Sequence, residues 1–212
     1  MLYVQIHSVF SEMRPLKFLT WNIRGIGSQA KRMKIINHLH KLQADICLLQ
    51  ETHLTDSDQN KLKSPQFTHV FSSTYNSKQR GVSILINNKF SFVHNSTITD
   101  TEGRFIIINI SVNSNPITIG NIYGPNSDDP SFFHNFFSSI SNNSNCPIII
   151  GGDFNTVIDP SIDRSNNITK WNCQSSDIIK QFMTDMGLGD SWRLQHPSTR
   201  QYSFFSPVHQ SF

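Results

Sequence analysis

The stretch Ile148-Ile149-Ile150-Gly151-Gly152-Asp153-Phe154-Asn155 decides how this chain is read. Its β-branched apolar run reads as a fully buried strand. The Gly-Gly pair reads as the end of that strand, a point where another backbone can approach closely. Asp153 and Asn155 then stand two residues apart, and in extended chain that spacing puts both side chains on one side. A carboxylate there can position a water or take its proton, and a carboxamide can donate to an oxyanion. A strand running into an inert Asx turn accounts for the same residues equally well. The rest of the chain has to separate the two.

Outward from this stretch, the apolar periodicity predicts a strand over Leu16 to Asn22, then an amphipathic helix over Ala30 to Leu42 with Ser28 as its N-cap. Met33, Ile36 and Leu39 share one face of that helix, joined by Ile35 and Leu42 at its margin; Lys31, Arg32, Lys34 and Lys41 read as its solvated face. Further strands are expected over Ile46 to Glu51, Phe67 to Ser73, Gly81 to Ile86, Phe105 to Val112 and Ile117 to Tyr123, with turns at Glu102-Gly103-Arg104 and Asn115-Pro116. Asp129-Pro130 is a helix start, and Phe132, Phe133, Phe136, Phe137 and Ile140 make a core stripe behind it. Another helix is expected over Ser176 to Met186. Residues 1–14 read as a disordered leader that no pattern fixes, and 15–212 as one domain. Strand, helix, a run of strands, helix, strand, helix, strands is the order of an α/β protein. It suggests two mixed β-sheets packed face to face with helices outside, a four-layer α/β sandwich.

A chain of 212 residues is long enough for such a core. Its net charge of +3 is too small to establish a nucleic-acid partner, yet compatible with one. Cys47, Cys146 and Cys173 are odd in number and widely spaced, so they read as reduced thiols of a nuclear or cytoplasmic, not secreted, protein. No apolar run approaches the ~20 residues of a membrane span, and no obligate protein partner is inferred.

Several expected strands run out in polar residues: Asn22, Glu51, Tyr123 and Asp153, with Asn155 just beyond. Ligand sites of α/β folds commonly form where such ends converge. Two carboxylates, two carboxamides and a phenol make an oxygen-rich set that suits Mg²⁺ (or Mn²⁺) held together with a phosphate. No Cys/His spacing suggests zinc.

Four segments occur in order: Thr20-Trp21-Asn22-Ile23-Arg24-Gly25, Leu49-Gln50-Glu51-Thr52, Asn121-Ile122-Tyr123-Gly124-Pro125-Asn126 and Gly151-Gly152-Asp153-Phe154-Asn155. Together they resemble the motifs of the exonuclease–endonuclease–phosphatase superfamily. More narrowly, they resemble the apurinic-type endonuclease domain of non-LTR retrotransposon (long interspersed element) polyproteins. Ile162-Asp163-Arg164-Ser165 and Tyr202-Ser203-Phe204-Phe205-Ser206 add to the narrower likeness.

The resemblance implies that Glu51 holds Mg²⁺ with Asn22 in the same network, and that Asp153 orients or deprotonates the attacking water. It further implies that Asn155 stabilises charge on the phosphoryl oxygens and that Tyr123 contacts the scissile phosphate. Asn126, Arg164, Ser203, Ser206 and His209 would touch double-stranded DNA. Such domains nick one strand of the duplex and leave a 3′-hydroxyl that primes reverse transcription. Family members continue past the Phe-Phe-Ser hairpin into Asp and Ser-Asp-His motifs that this sequence lacks, and His53, His134 and His209 do not lie in matching motifs. The expectation is therefore a C-terminally truncated domain with an incomplete second sheet and weakened or lost activity. A catalytically dead DNA-binding remnant and a phosphoesterase acting on a lipid or small-molecule phosphate are the alternatives.

Overall fold

The structure, a computed structural model, describes residues 2–6, 15–142, 146–165 and 173–202. It divides into two compact units, Met1–Tyr123 with Asn142–Asp153, and Gly124–Ser141 with Phe154–Phe212.

In the first unit, five strands form one sheet: β1 (Leu2–Ile6), β2 (Leu16–Asn22), β3 (Ile46–Gln50), β4 (His69–Ser73) and β5 (Val82–Ile86), in the order β1-β2-β3-β5-β4. Helix α1 (Gln29–Lys41) follows β2, and a 3-10 turn over Asp56–Leu62 follows β3. Four more strands form the second sheet in chain order: β6 (Val93–Thr99), β7 (Phe105–Val112), β8 (Asn115–Tyr123) and β9 (Ile148–Asp153). Both sheets are mixed. β2–β3 and β8–β9 are parallel pairs, and the other pairings are antiparallel.

Side-chain alternation explains why the central strands read as unbroken apolar runs. Ile46 and Leu48 of β3 enter a core shared with Ile106, Ile108 and Ile119 of the second sheet, so the two sheets pack face to face. Cys47 and Leu49 of the same strand enter a second core with Ile35, Ile36 and Leu39 of α1. Thus α1 covers the outer face of the first sheet. Each fully buried Ile or Leu adds about 1.5–3 kcal/mol to stability.

The fold class matches the sequence reading, with several local differences. Leu2–Ile6, inside the stretch read as a leader, pairs antiparallel with β2. Met33, expected on the buried face of α1, is 55% exposed, while Ile35, Ile36 and Leu39 of that face are buried. Asn115-Pro116, read as a turn, begins β8, and the turn falls at Asn113 and Ser114, both at positive φ. β9 is not ended by its glycines: it runs through Gly151 and Gly152 to Asp153. Nor is β9 fully buried; all six of its residues are half-buried, as befits the last strand in the order of its sheet.

The glycines of β9 have separate reasons. A Cβ on Gly151 would meet Leu48 Cδ1 at 2.5 Å, so its absence lets β9 close on β3. Gly152 has a φ of +151°, and a Cβ there would stand 2.0 Å from Ile122 O. Only glycine fits that backbone.

The second unit contains α2 (Pro130–Ser141), α3 (Pro160–Asp163), α4 (Gln174–Asp185) and α5 (Ser191–Gln195). Asp129 Oδ1 accepts from Phe132 N, the N-cap bond expected from Asp129-Pro130. Phe137 of α2 stacks on Phe182 of α4 with ring centroids 4.9 Å apart. Asp128 caps α4, accepting from Gln174 N and Ser175 N at 2.9 and 2.8 Å; the Ser175 hydroxyl, which also donates to it, and then these backbone bonds hold its carboxyl down at about 2. All three cysteines are free. Among the described residues no helix is long and apolar enough to cross a membrane.

Candidate active site

The two parallel pairs point their C-terminal ends the same way. In β2–β3, Asn22 stands opposite Gln50, and Glu51 follows; in β8–β9, Tyr123 stands opposite Asp153. Face-to-face packing of the sheets brings these ends together. Asn22 Nδ2 donates to Glu51 Oε1 at 2.8 Å and to Asp153 Oδ2 at 2.8 Å. One amide group thus clamps two carboxylates, one beside each sheet, and its two protons offset part of their repulsion. Asn22 Oδ1 accepts from Arg24 N at 3.2 Å, so the loop after β2 fixes which way the amide points.

Tyr123 completes the cluster from β8. Its phenol is pushed up to about 12, first by burial, then by the charge of Glu51, a hydrogen bond to Glu51 and the charge of Asp153, with Arg104 pulling the other way. Near neutrality the hydroxyl is a neutral donor. The Arg104 guanidinium lies over the Tyr123 ring, 5.5 Å from its centroid, and Nη1 donates to Tyr123 O at 3.3 Å. Burial, then the charge of Arg80, lowers the Arg104 pKa from the usual arginine value.

The backbone beneath these side chains is strained and tightly bonded. Arg24, Glu51, His53 and Arg80 have φ of +47°, +53°, +54° and +61°, a conformation that costs L-residues about 1–3 kcal/mol each. A run of bonds holds them there: Gly25 N to Glu51 O, Thr52 N to Gly81 O, His53 N to Arg80 O and Gly81 N to Gly103 O, all between 2.6 and 3.0 Å. The left-handed turn at Glu51 takes the chain out of β3 and leaves the carboxylate at the mouth of the strand.

His53, set aside in the sequence reading, belongs to this cluster. Its Nε2 lies 3.3 Å from Glu51 Oε2, close enough for an ion pair when the ring is protonated but without hydrogen-bond geometry. The signal available in the sequence was its spacing of two from Glu51. Arg104 was missed because a Gly-Arg turn carries no mark of what its side chain will cover.

Of the other sequence-derived residues, Asn155 lies in the second unit and donates from Nδ2 to Gly124 O at 2.8 Å. Its φ is +51°, so the alternation argument that paired it with Asp153 does not apply to its backbone. Asn126 is exposed. Arg164 ends α3, and Tyr202 OH donates to Arg164 O at 3.3 Å. Asp163 of the same motif is ion-paired with Arg193. Ser203, Ser206 and His209 lie outside the described residues.

Among the described residues no three His, Cys, Asp or Glu side chains form a metal-binding group. The converged set is two carboxylates, an amide and a phenol. The two carboxylates suit a hard divalent ion, which takes one or two such groups and completes its shell with water and phosphate oxygens. Asn22 presents its NH₂ to the carboxylates, which suits a clamp better than a ligand.

The endonuclease/exonuclease/phosphatase family model matches residues 19–211. The chain belongs to that family. It is 24% identical over 194 residues to a Xenopus laevis relative named Transposon TX1 uncharacterized 149 kDa protein, a match covering 89% of this chain and 14% of that relative. The chain therefore spans about one seventh of the curated relative's length. Family likeness extends to solved structures. An AP endonuclease from Archaeoglobus fulgidus superposes with a TM-score of 0.67 at 21% identity, covering 91% of this chain and 79% of that one. An AP endonuclease from Leishmania major gives 0.67 at 18%, covering 91% and 73%. These superpositions establish the shared fold.

Proposed function

We propose that this chain is a Mg²⁺-dependent DNA endonuclease domain of a retrotransposon-type protein, nicking one strand of duplex DNA to leave the 3′-hydroxyl that primes reverse transcription. The observation that carries the reading is the Asn22 clamp, which joins Glu51 and Asp153 where the strand ends of both sheets meet. The transposon relative supports the retrotransposon setting, and the widely spaced, odd-numbered cysteines are in keeping with a nuclear or cytoplasmic, not secreted, location.

Glu51 would hold the divalent ion, Mg²⁺ or Mn²⁺. Bound there, the ion supplies charge neutralisation at a phosphoryl oxygen. Asp153 orients a water and accepts its proton as the water oxygen attacks phosphorus and the P–O3′ bond breaks. Asn22 holds both carboxylates in place through that step. The neutral Tyr123 hydroxyl donates to the scissile phosphate, and Asn155 stabilises the charge that gathers on its oxygens. Asn126, Arg164, Ser203, Ser206 and His209 are proposed to contact the duplex. Contacts on the minor-groove side, whose hydrogen-bond code is poor, would read groove width and deformability.

The test is incubation with supercoiled plasmid and Mg²⁺. Nicking that stops with chelator supports the reading. Retention of DNA without nicking points instead to a catalytically dead binding module, and hydrolysis of a soluble phosphoester without nicking points to a phosphoesterase of another substrate class.

A further inference from the structure

Just beneath the carboxylates, two uncharged amides meet in the core. Gln50 is the last residue of β3 and 1% exposed; Asn121 lies in β8 and is fully buried. Gln50 Nε2 donates to Asn121 Oδ1 at 2.7 Å, and lies 3.0 Å from Thr20 Oγ1 and 2.9 Å from Leu48 O. Asn121 Nδ2 donates to Leu49 O at 3.0 Å and Ser83 O at 2.9 Å. One side chain of the second sheet therefore bonds to the backbones of β3 and β5 in the first.

Apolar packing alone defines the offset between two sheets loosely, because Ile and Leu contacts are not directional. Hydrogen bonds are directional, and a buried amide left without partners costs about 1–3 kcal/mol. A shift of either sheet would break three inter-sheet bonds here. The position of the pair is the telling point. Gln50 precedes Glu51 by one residue; Asn121 precedes Tyr123 by two and faces Gly151, itself two before Asp153. Locking Gln50 to Asn121 therefore locks the three groups of the site, which lie one or two residues further along β3, β8 and the neighbouring β9.

We propose that the buried Gln50–Asn121 amide pair is the positioning element of the active site, setting the offset at which the two sheets meet and so the separation of Glu51 from Asp153. Neither residue touches substrate. The proposal rests on the nuclease reading for its activity readout, but not for its metal readout.

The experiment compares the wild-type chain with Gln50→Met/Asn121→Leu, in which both amides become apolar groups of similar shape. Replacing both partners leaves neither amide orphaned but takes a donor from Leu49 O and Ser83 O, so some stability is lost and the comparison is made well below the variant's denaturation midpoint. Steady-state nicking should show kcat lowered about 10²-fold, the scale of a misplacement of about 1 Å, with KM for DNA within about threefold. Mn²⁺ affinity by calorimetry should fall about tenfold, as for other changes behind a metal ligand. A folded double variant with wild-type kcat and wild-type Mn²⁺ affinity overturns the proposal. If the double variant does not fold, Asn121→Leu alone decides by the same readouts, since it removes all three inter-sheet bonds while Gln50 Nε2 keeps Thr20 Oγ1 and Leu48 O. If the wild-type chain does not nick DNA, the nuclease reading has failed, and the Mn²⁺ affinities alone decide positioning.

Discussion

Asn22 Nδ2 and Asp153 Oδ2 stand 2.8 Å apart although 131 positions separate them in the chain, and the same Asn22 nitrogen holds Glu51. An amide with two protons between two carboxylates is a specific solution to placing like charges side by side. Asn22→Leu keeps the shape and removes the donor. Nicking should fall about 10²–10³-fold, the usual effect of losing one well-placed hydrogen-bond donor at a reacting centre. The site is part-exposed, so the denaturation midpoint should move little. A variant with wild-type kcat would remove Asn22 from the mechanism.

Glu51→Gln tests the ion. The substitution preserves volume and removes the charge that a hard cation needs. Mg²⁺ affinity measured by calorimetry should drop at least about tenfold. Equal affinities in the two proteins would move the ion to other residues.

The raised pKa of Tyr123 has a signed consequence. Its folded value of about 12 lies above the ordinary value of 10, so the native state holds the phenolic proton more tightly than the unfolded chain does. Stability from this group is complete below pH 10 and is lost as pH climbs from 10 towards 12. Tyr123→Phe should flatten that part of the alkaline stability curve. The same variant should nick more slowly while leaving the shape of the rate profile between about pH 6 and 9 unchanged, because the phenol does not ionise there. Tyrosinate absorbance measured in both proteins checks the assignment, and a Tyr123 that titrates near 9 would contradict it.

What could be read before the structure follows a physical line. Motif residues at strand ends were legible because a strand's end is marked locally, and Asn22, Glu51, Tyr123 and Asp153 all lie there. The strands β2 and β7 were legible to the residue, since apolar runs bounded by turn residues carry their own limits. Gln50 and Asn121 were not, because a polar residue inside an apolar run gives no sign of whether its partner is water or another sheet. His53 escaped because its importance comes from a left-handed backbone at Glu51 and His53, and nothing local forces non-glycine residues into that conformation. Met33 was misplaced by a helical face drawn too far round towards it; the buried face centres on Ile35, Ile36 and Leu39.

The adjacent glycines of β9 should respond differently to the same methyl group. At Gly151 the obstacle is Leu48 Cδ1, the tip of a flexible side chain 2.5 Å from the added carbon. Leu48 can rotate away at the cost of local overpacking, about 1–3 kcal/mol. At Gly152 the obstacle is Ile122 O at 2.0 Å, backbone of the neighbouring strand, and the φ of +151° is itself strained for any L-residue. β8 cannot yield there without breaking the pairing that sets Tyr123 opposite Asp153. Gly152→Ala should therefore lose roughly 4 kcal/mol or more, the range reserved for severe backbone conflicts. Urea denaturation of the two variants separates the cases: a Gly151→Ala protein that folds with a lowered midpoint, and a Gly152→Ala protein that is largely unfolded or insoluble. Equal midpoints would mean that β9 bends away from β8 more easily than its contacts indicate, and would weaken the claim that this strand rigidly presents Asp153.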